Sequence, residues 1–337
     1  MERGFVYTLV AVASALCDPV TAAETSISTY REMCDASAAV ALDKDHFVVG
    51  DDELNVLRVY RRGQPTSVAQ IDLSKFLGTK ASKESDIEGA ARVGDRIFWI
   101  SSHGTNSDSE VQDRRRRFFA TELVAGAIPA VRPVAKPYSR LVQDLASDAK
   151  LAKYGLAEAT ARPPKIKGAL NIEGLADGGD GRLLIGFRNP LPGDKPLIVP
   201  LDNPGEMIQG GTARLGNPIE LDLGGRGVRS IERVGDAYLI VAGPYDAAGE
   251  FSLYRWSGKE TDAAVPIEAP ILNGLFPEAL FAVVETGEVQ ILSDDGKAKV
   301  GARDCKDAPR AQQSFRSVTL KPRVQDVQGE ERRPRGR

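Results

Sequence analysis

The chain has only two histidines in 337 residues, His46 and His103. A histidine-rich metal site is therefore excluded, and a Ser-His-Asp triad could draw on only one of these two. No G-x-S-x-G, H-E-x-x-H or P-loop pattern occurs, so the better-known catalytic sets have no foothold. The formal net charge is only -3, which gives no global field toward nucleic acid or an anionic membrane. No nucleic acid is expected as a partner. The apolar stretch Phe5 to Leu16 is too short to span a bilayer, so no membrane span is expected there.

That short stretch has another reading. Arg3 precedes it, and Val20-Thr21-Ala22 or Thr21-Ala22-Ala23 offers a small-residue cleavage site after it, so residues 1–23 read as a secretory signal. The alternatives are lipidation at Cys17, for which Leu16 is a poor fit, and a buried N-terminal helix. Export to the periplasm or beyond would leave Cys34 and Cys305 in an oxidising compartment, where an even pair suggests one disulfide; two separate buried thiols are the other reading.

What the chain does have is 33 Gly and 20 Pro between short apolar runs, the mark of an all-β chain with many turns. It also repeats itself. Ser85-Asp86-Ile87-Glu88-Gly89-Ala90-Ala91 returns as Leu170-Asn171-Ile172-Glu173-Gly174-Leu175-Ala176. Looser copies are Arg229-Ser230-Ile231-Glu232 and Phe276-Pro277-Glu278-Ala279-Leu280, and Cys34-Asp35-Ala36-Ser37 is a degenerate one with Ser37 in place of Glu. Each copy leads through a Gly/Asp-rich turn into another apolar run, such as Arg96 to Ser101 or Ala237 to Ala242.

Short strands in repeated units of about four predict a β-propeller. Five blades are expected, or six if the long connections hide another; a β-sandwich or two β domains is the competing fold. The propeller would occupy 24–321. Leu141, Leu145, Ala149, Ala152 and Leu156 fall near helical spacing and predict a helical insert at about 139–160, ended by Pro163-Pro164. The strand-like segment Thr25 to Met33 lies outside the first repeat and could complete the last blade. Residues 322–337 read as a disordered tail.

In a propeller, the start of each first strand and the end of each second strand lie on one face. Glu88, Glu173, Glu232 and Glu278 would then converge with Asp52, His103, Arg188, Tyr245 and Asp294 at one mouth of the channel. Ser37 to Asp52, Glu88 to His103 and Glu173 to Arg188 are each 15 positions apart, as that geometry requires. Converging carboxylates repel one another and are costly to bury. A hard divalent cation, Ca²⁺ or another, held by Glu88, Glu173, Glu232 and Glu278 would compensate. Arginine is the other compensation, with Arg188, Arg226 and Arg229 on the same face. Arg114–Arg117 read as a solvated junction before they read as an anion clamp. The Glu repeats could equally be structural, each locking its blade to the next.

The motifs DIEGAA, ISSHG, NIEGL, IGFRNPL, GGRGVRSIE, FPEAL and LSDDG, in order along the mature chain, together resemble a bacterial family filed as domain of unknown function 3616. That resemblance implies the fold and the place of the site, and no activity. A more distant likeness is to esterase-like phytase and calcium-dependent lactonase propellers, which carry an acid followed by Gly at inner-strand starts. In the lactonases such a Glu ligates metal. Glu88 and Glu173 match that pattern, whereas Glu232 and Glu278 lack the Gly.

Two functions follow as expectations. One is an axial acidic/Arg site binding a divalent metal and a small anionic molecule, with metal-dependent phosphoester or lactone hydrolysis as the activity. There Glu173 or His103 would be the base and Arg188 or Arg229 would steady developing charge, with Arg226, Arg229, Tyr245, Asp52 and Asp294 as ligand contacts. The other is a non-catalytic envelope scaffold or ligand-binding propeller whose Glu ring serves only the fold.

Overall fold

A computed structural model describes residues 26–246 and 249–321. The signal read at 1–23 and the tail at 322–337 lie outside the described residues. Five sheets have four antiparallel strands each, and these are the blades of a five-bladed β-propeller.

The blades follow the chain. The first is Ala36–Ala41 (β2), His46–Asp51 (β3), Val56–Arg61 (β4) and Ser67–Asp72 (β5). The second is Ile87–Val93 (β6), Arg96–Ser101 (β7), Phe118–Val124 (β8) and Ala130–Tyr138 (β9). The third is Asn171–Gly179 (β10), Arg182–Asn189 (β11), Leu197–Leu201 (β12) and Ile219–Glu220 (β13). The fourth is Gly227–Val234 (β14), Ala237–Gly243 (β15), Ser252–Trp256 (β16) and Val265–Ile267 (β17). The fifth has Pro277–Ala282 (β18), Val289–Ser293 (β19) and, after the ribbon Lys299–Val300 (β20) with Arg303–Asp304 (β21), Ser314–Leu320 (β22). Its outer strand is Ser26–Arg31 (β1), so the two ends of the domain share one sheet and the ring is closed as expected. The inner strands β2, β6, β10, β14 and β18 each pack on the next around the axis.

Local sequence explains the hairpins. Asp180-Gly181, between β10 and β11, takes positive φ at both positions, which Asp and Gly tolerate at least cost. The strands it joins are apolar because both faces of a blade are buried between neighbours. Five hydrophobic clusters result, one per blade interface. At the closing seam Tyr30, Phe47, Tyr60, Phe281 and Phe315 stack edge-to-face and face-to-face at 5.1–5.7 Å. Aromatic contacts of this kind add about 0.5–1.5 kcal/mol each beyond area burial.

Cys34 and Cys305 form the disulfide, with Cα atoms 5.9 Å apart, across the same seam. The stretch between the second and third blades is helical at Leu141–Ser147, Ala149–Tyr154 (a 3-10 helix) and Leu156–Ala159. Leu141, Leu145 and Leu156 are buried there. Leu151 is buried where the spacing placed Ala152, because the tighter 3-10 turn shifts the inward face by one residue.

Candidate functional site

Every inner strand carries a break in register near its start. The bulged residues are Ser37, Glu88, Glu173, Arg229 and Glu278, each left without a partner in the neighbouring second strand. A bulge adds one residue to one strand and re-aims its side chain. In four of the blades that turns the bulged side chain toward the mouth of the channel, whereas Ser37 in the first donates to the Ile87 carbonyl of the next blade at 2.5 Å. The fourth blade therefore contributes Arg229, and Glu232 is not the ring member that the repeat alignment expected. Glu232 sits three residues deeper, opposite Leu239, and its Oε1 accepts the Ala282 N–H of the next blade at 3.2 Å. Burial pushes its carboxyl up to about 8, against the opposing pull of that N–H.

A cavity of about 660 Å³ opens at this mouth. Glu88, Glu173, Arg229 and Glu278 are on its wall, with Asp52, Arg188 and Asp294 from the ends of the second strands. His103, Arg226 and Tyr245 are not. In the second blade the wall residue is Ser102, one position earlier, and His103 turns away with φ +58°. Its ring is fully buried and, among the described residues, neither nitrogen has a hydrogen-bond partner. Burial, reinforced by Arg116 and Arg117, pushes its pKa down to about 3. A neutral imidazole shut off from the cavity is not placed to serve as its base. Arg226 instead bonds the carbonyls of Glu250 and Gly224. Of Arg114–Arg117, Arg115 alone reaches the wall, held by Glu84 at 2.8 Å and 3.5 Å from Asp86.

The two halves of the mouth differ. On the side of the third to fifth blades, arginine answers the acids. Arg188 Nη1 donates to Glu173 Oε1 at 2.6 Å, while its other nitrogens donate to the carbonyls of Pro244 and Asp246. Arg229 Nε lies 2.9 Å from Glu173 Oε2, and its Nη2 contacts Glu278. The Nε approach is close in distance but off-line for a hydrogen bond, so it is an ion contact. Burial, and then Arg188 beside it, lowers the Arg229 pKa to about 10. The guanidinium also lies over the Phe251 ring at 5.6 Å. Both Glu173 oxygens and all three Arg188 nitrogens are thus engaged, which suits them to hold the frame rather than to react.

On the side of the first and second blades the acids have little to answer them. One oxygen each from Asp52, Asp86 and Glu88 lie within 4.8 Å of one another, and the same holds for Asp35, Asp51 and Asp52. Glu88 is 8% exposed, lines the cavity and has no hydrogen bond or ion pair among the described residues. Asp52 Oδ1 is shut off from solvent and likewise has no hydrogen-bond partner among the described residues. Burial, then Glu173 and Asp86, hold the Glu88 carboxyl well above the usual range; burial, then Asp294 and Glu88, do the same to Asp52. Burial and the neighbouring Asp294 push Asp35 up to about 9.

Asp35, Asp86 and Asn171 were missed by reading the Glu positions alone. Yet each stands two residues before a bulge, as does Phe276, and all four line the cavity. The equivalent in the fourth blade is Gly227, where a Cβ would come within 2.1 Å of the Arg188 carbonyl oxygen. A polar residue recurring at that offset was the available signal.

A family described as "Protein of unknown function (DUF3616)" matches residues 35–125 and 130–269. The chain belongs to that family. No curated protein is matched. Among solved structures, this DUF3616 protein is similar to Myxococcus xanthus glutaminyl cyclase, at 11% identity over 88% of this chain and 96% of that one, with a TM-score of 0.44. It is also similar to the Myceliophteria thermophila Cps50 (Swd1) β-propeller domain, at 10% identity over 88% and 100%, with a TM-score of 0.39. A third is streptogramin B lyase, at 9% identity over 88% and 98%, also with a TM-score of 0.39.

Proposed function

We propose that this propeller binds a divalent cation at the channel mouth, through Asp52, Asp86 and Glu88, together with a small anionic molecule. The observation that carries this reading is Glu88: a carboxylate nine-tenths buried, facing the cavity, with no partner among the described residues and two further acids within 4.8 Å. An all-oxygen donor set suits Ca²⁺ or another hard cation. Arg115 answers Asp86, but burying Asp52 and Glu88 beside it without compensation is costly, and a cation removes that cost. The anionic end of the ligand would be met by Lys165 and Lys297, which line the same cavity, since Arg188 and Arg229 are taken up by Glu173 and Glu278.

Hydrolysis of a phosphoester or lactone is the activity proposed for this site. The cation would polarise the scissile group and acidify a bound water. Asp294, on the same wall and hydrogen-bonded to the Asp35 carboxyl, is the group to take the proton. Export is proposed with it, supported by the Cys34–Cys305 disulfide, which belongs in an oxidising compartment. A structural role for the third-to-fifth-blade half is the second reading, favoured by the Glu173–Arg188–Arg229–Glu278 network.

The test is a thermal melt of EDTA-stripped protein with and without Ca²⁺, on the native chain and Glu88→Gln. Ca²⁺ at about a hundred times its Kd should stabilise the native chain by about 2.7 kcal/mol. Glu88→Gln should lose that gain and melt no lower than the native chain without Ca²⁺. An unchanged midpoint for the native chain with Ca²⁺, Mg²⁺ and Mn²⁺ alike would refute the cation site.

A further inference from the structure

Two residues before the bulge, three blades put Asp35, Asp86 and Asn171 on the cavity wall, and the fifth puts Phe276 there. The Phe276 side chain is 49% exposed. A ring left half in water forgoes the burial that a core position would supply, so its place on a cavity wall points to contact with something else. Its neighbours extend the apolar surface. The Phe251 ring stands edge-on to it at 6.2 Å, and Ile166, 55% exposed, lines the same cavity. Phe251 and Phe276 belong to the fourth and fifth blades and Ile166 to the segment leading into the third, so the apolar rim lies on the other half of the mouth from Glu88.

We infer that the small anionic molecule carries an apolar body, which rests on Phe276, Phe251 and Ile166 while its charged end is met by Lys165 and Lys297. This rests on the anion reading above and deepens it by naming the class of ligand, a phosphoester or lactone with a hydrocarbon substituent. At about 660 Å³ the cavity is far larger than an ion needs and falls within the range of small-molecule sites, about 300–1,000 Å³.

The rim is held in place from behind. Asn189 is fully buried, and its Nδ2 donates to the carbonyls of Pro164 and Ile166 at 3.2 and 2.8 Å. Its Oδ1 accepts the Gly168 N–H at 3.1 Å. Together with Pro163 and Pro164, these bonds fix the backbone that carries Lys165 and Ile166 to the wall. On the opposite flank Gly243 makes room for Phe251, since a Cβ there would come within 2.7 Å of the ring and of Arg229 Cγ. Lys165 and Lys297 have no ion pair among the described residues. Partial burial, and then Lys297, Arg188 and Arg229, lowers the Lys165 pKa, as expected of a cation that faces other cations. A bound anion relieves that repulsion.

The experiment is calorimetric titration of the full chain with phenylphosphonate and with methylphosphonate, in Ca²⁺ and in EDTA. The two anions share a head and differ in the body. Phenylphosphonate should bind about tenfold more tightly. Phe276→Ala, at a half-exposed position, should bring the two affinities together, and Ile166→Ser should narrow the gap. Lys165→Gln should weaken both and preserve their ratio. Equal affinities in the native chain would overturn the apolar end, as would a preference that survives both Phe276→Ala and Ile166→Ser. Binding of neither anion in either buffer would overturn the proposal whatever Ca²⁺ does to the melt. A phenyl preference that persists in EDTA, with no effect of Ca²⁺, would support the rim and count against the cation reading alone.

Discussion

Glu173 and Arg229 occupy the same bulge position in successive blades, and they meet at 2.9 Å across the blade interface. One repeat supplies the acid and the next supplies its counterion. Glu278, in the following blade, meets the same guanidinium from its other side. The fivefold repeat thereby avoids an unbroken ring of acids on this half, while the other half, around Glu88, has no such answer.

Arg229→Met should be among the most damaging single changes in the chain. It keeps much of the aliphatic bulk but leaves Glu278 and one oxygen of Glu173 buried without a counterion. Breaking one partner out of a buried ion pair costs about 3–5 kcal/mol. Urea unfolding should show a loss of that order, and a loss below about 1 kcal/mol would mean that water or protons replace the guanidinium at little cost.

The disulfide joins residues separated by 271 positions. Closing so long a loop restrains the unfolded chain, and loop entropy sets an upper value of about 5.6 kcal/mol. The Cys34→Ser/Cys305→Ser protein should unfold at lower denaturant by up to that amount. It should still fold, because β1 pairs with β22 along its full length. Loss of the fold altogether would show that the aromatic seam cannot hold the ring closed unaided.

Glu232 gives a signed pH dependence. Its carboxyl keeps its proton up to about 8 in the folded chain, whereas the unfolded value is 4.5. Between those values the unfolded state binds fewer protons, so stability from this group is fully present below about 4.5 and falls as pH rises toward 8. Glu232→Gln keeps an acceptor for the Ala282 N–H and cannot ionise. Its stability relative to the native chain should therefore climb from pH 5 to pH 8, by on the order of 1 kcal/mol after solvent screening. A constant difference across that range would place the Glu232 titration elsewhere.

Much of the architecture could be read from the repeats because blade packing imposes the same requirement five times. An apolar run must fill each interface, a Gly/Asp turn must reverse it, and a bulge must aim one side chain at the axis. Thr25–Met33 read as a stray strand for the same reason, since its pattern fitted a blade and its own repeat had no place for it. The position of Glu232 could not be read. Aligning Ile231-Glu232 with Ile87-Glu88 matched letters, whereas the bulge falls between Val228 and Ser230 and puts Arg229 at the axis. His103 failed similarly: a left-handed turn moves Ser102, one residue earlier, onto the wall.

The sequence by itself determined the recurrence of short strands in units that stack as a propeller, and the recurrence of acids near inner-strand starts, because these depend on local pattern repeated along the chain. Only the tertiary structure decided which acids are answered by Arg188 and Arg229 and which are left facing the cavity. Pairing between blades depends on where each bulge falls and on which side chain it turns inward. In the fourth blade the bulge falls three residues before Glu232, which exchanges an acid for a base at the axis, and no local pattern records it.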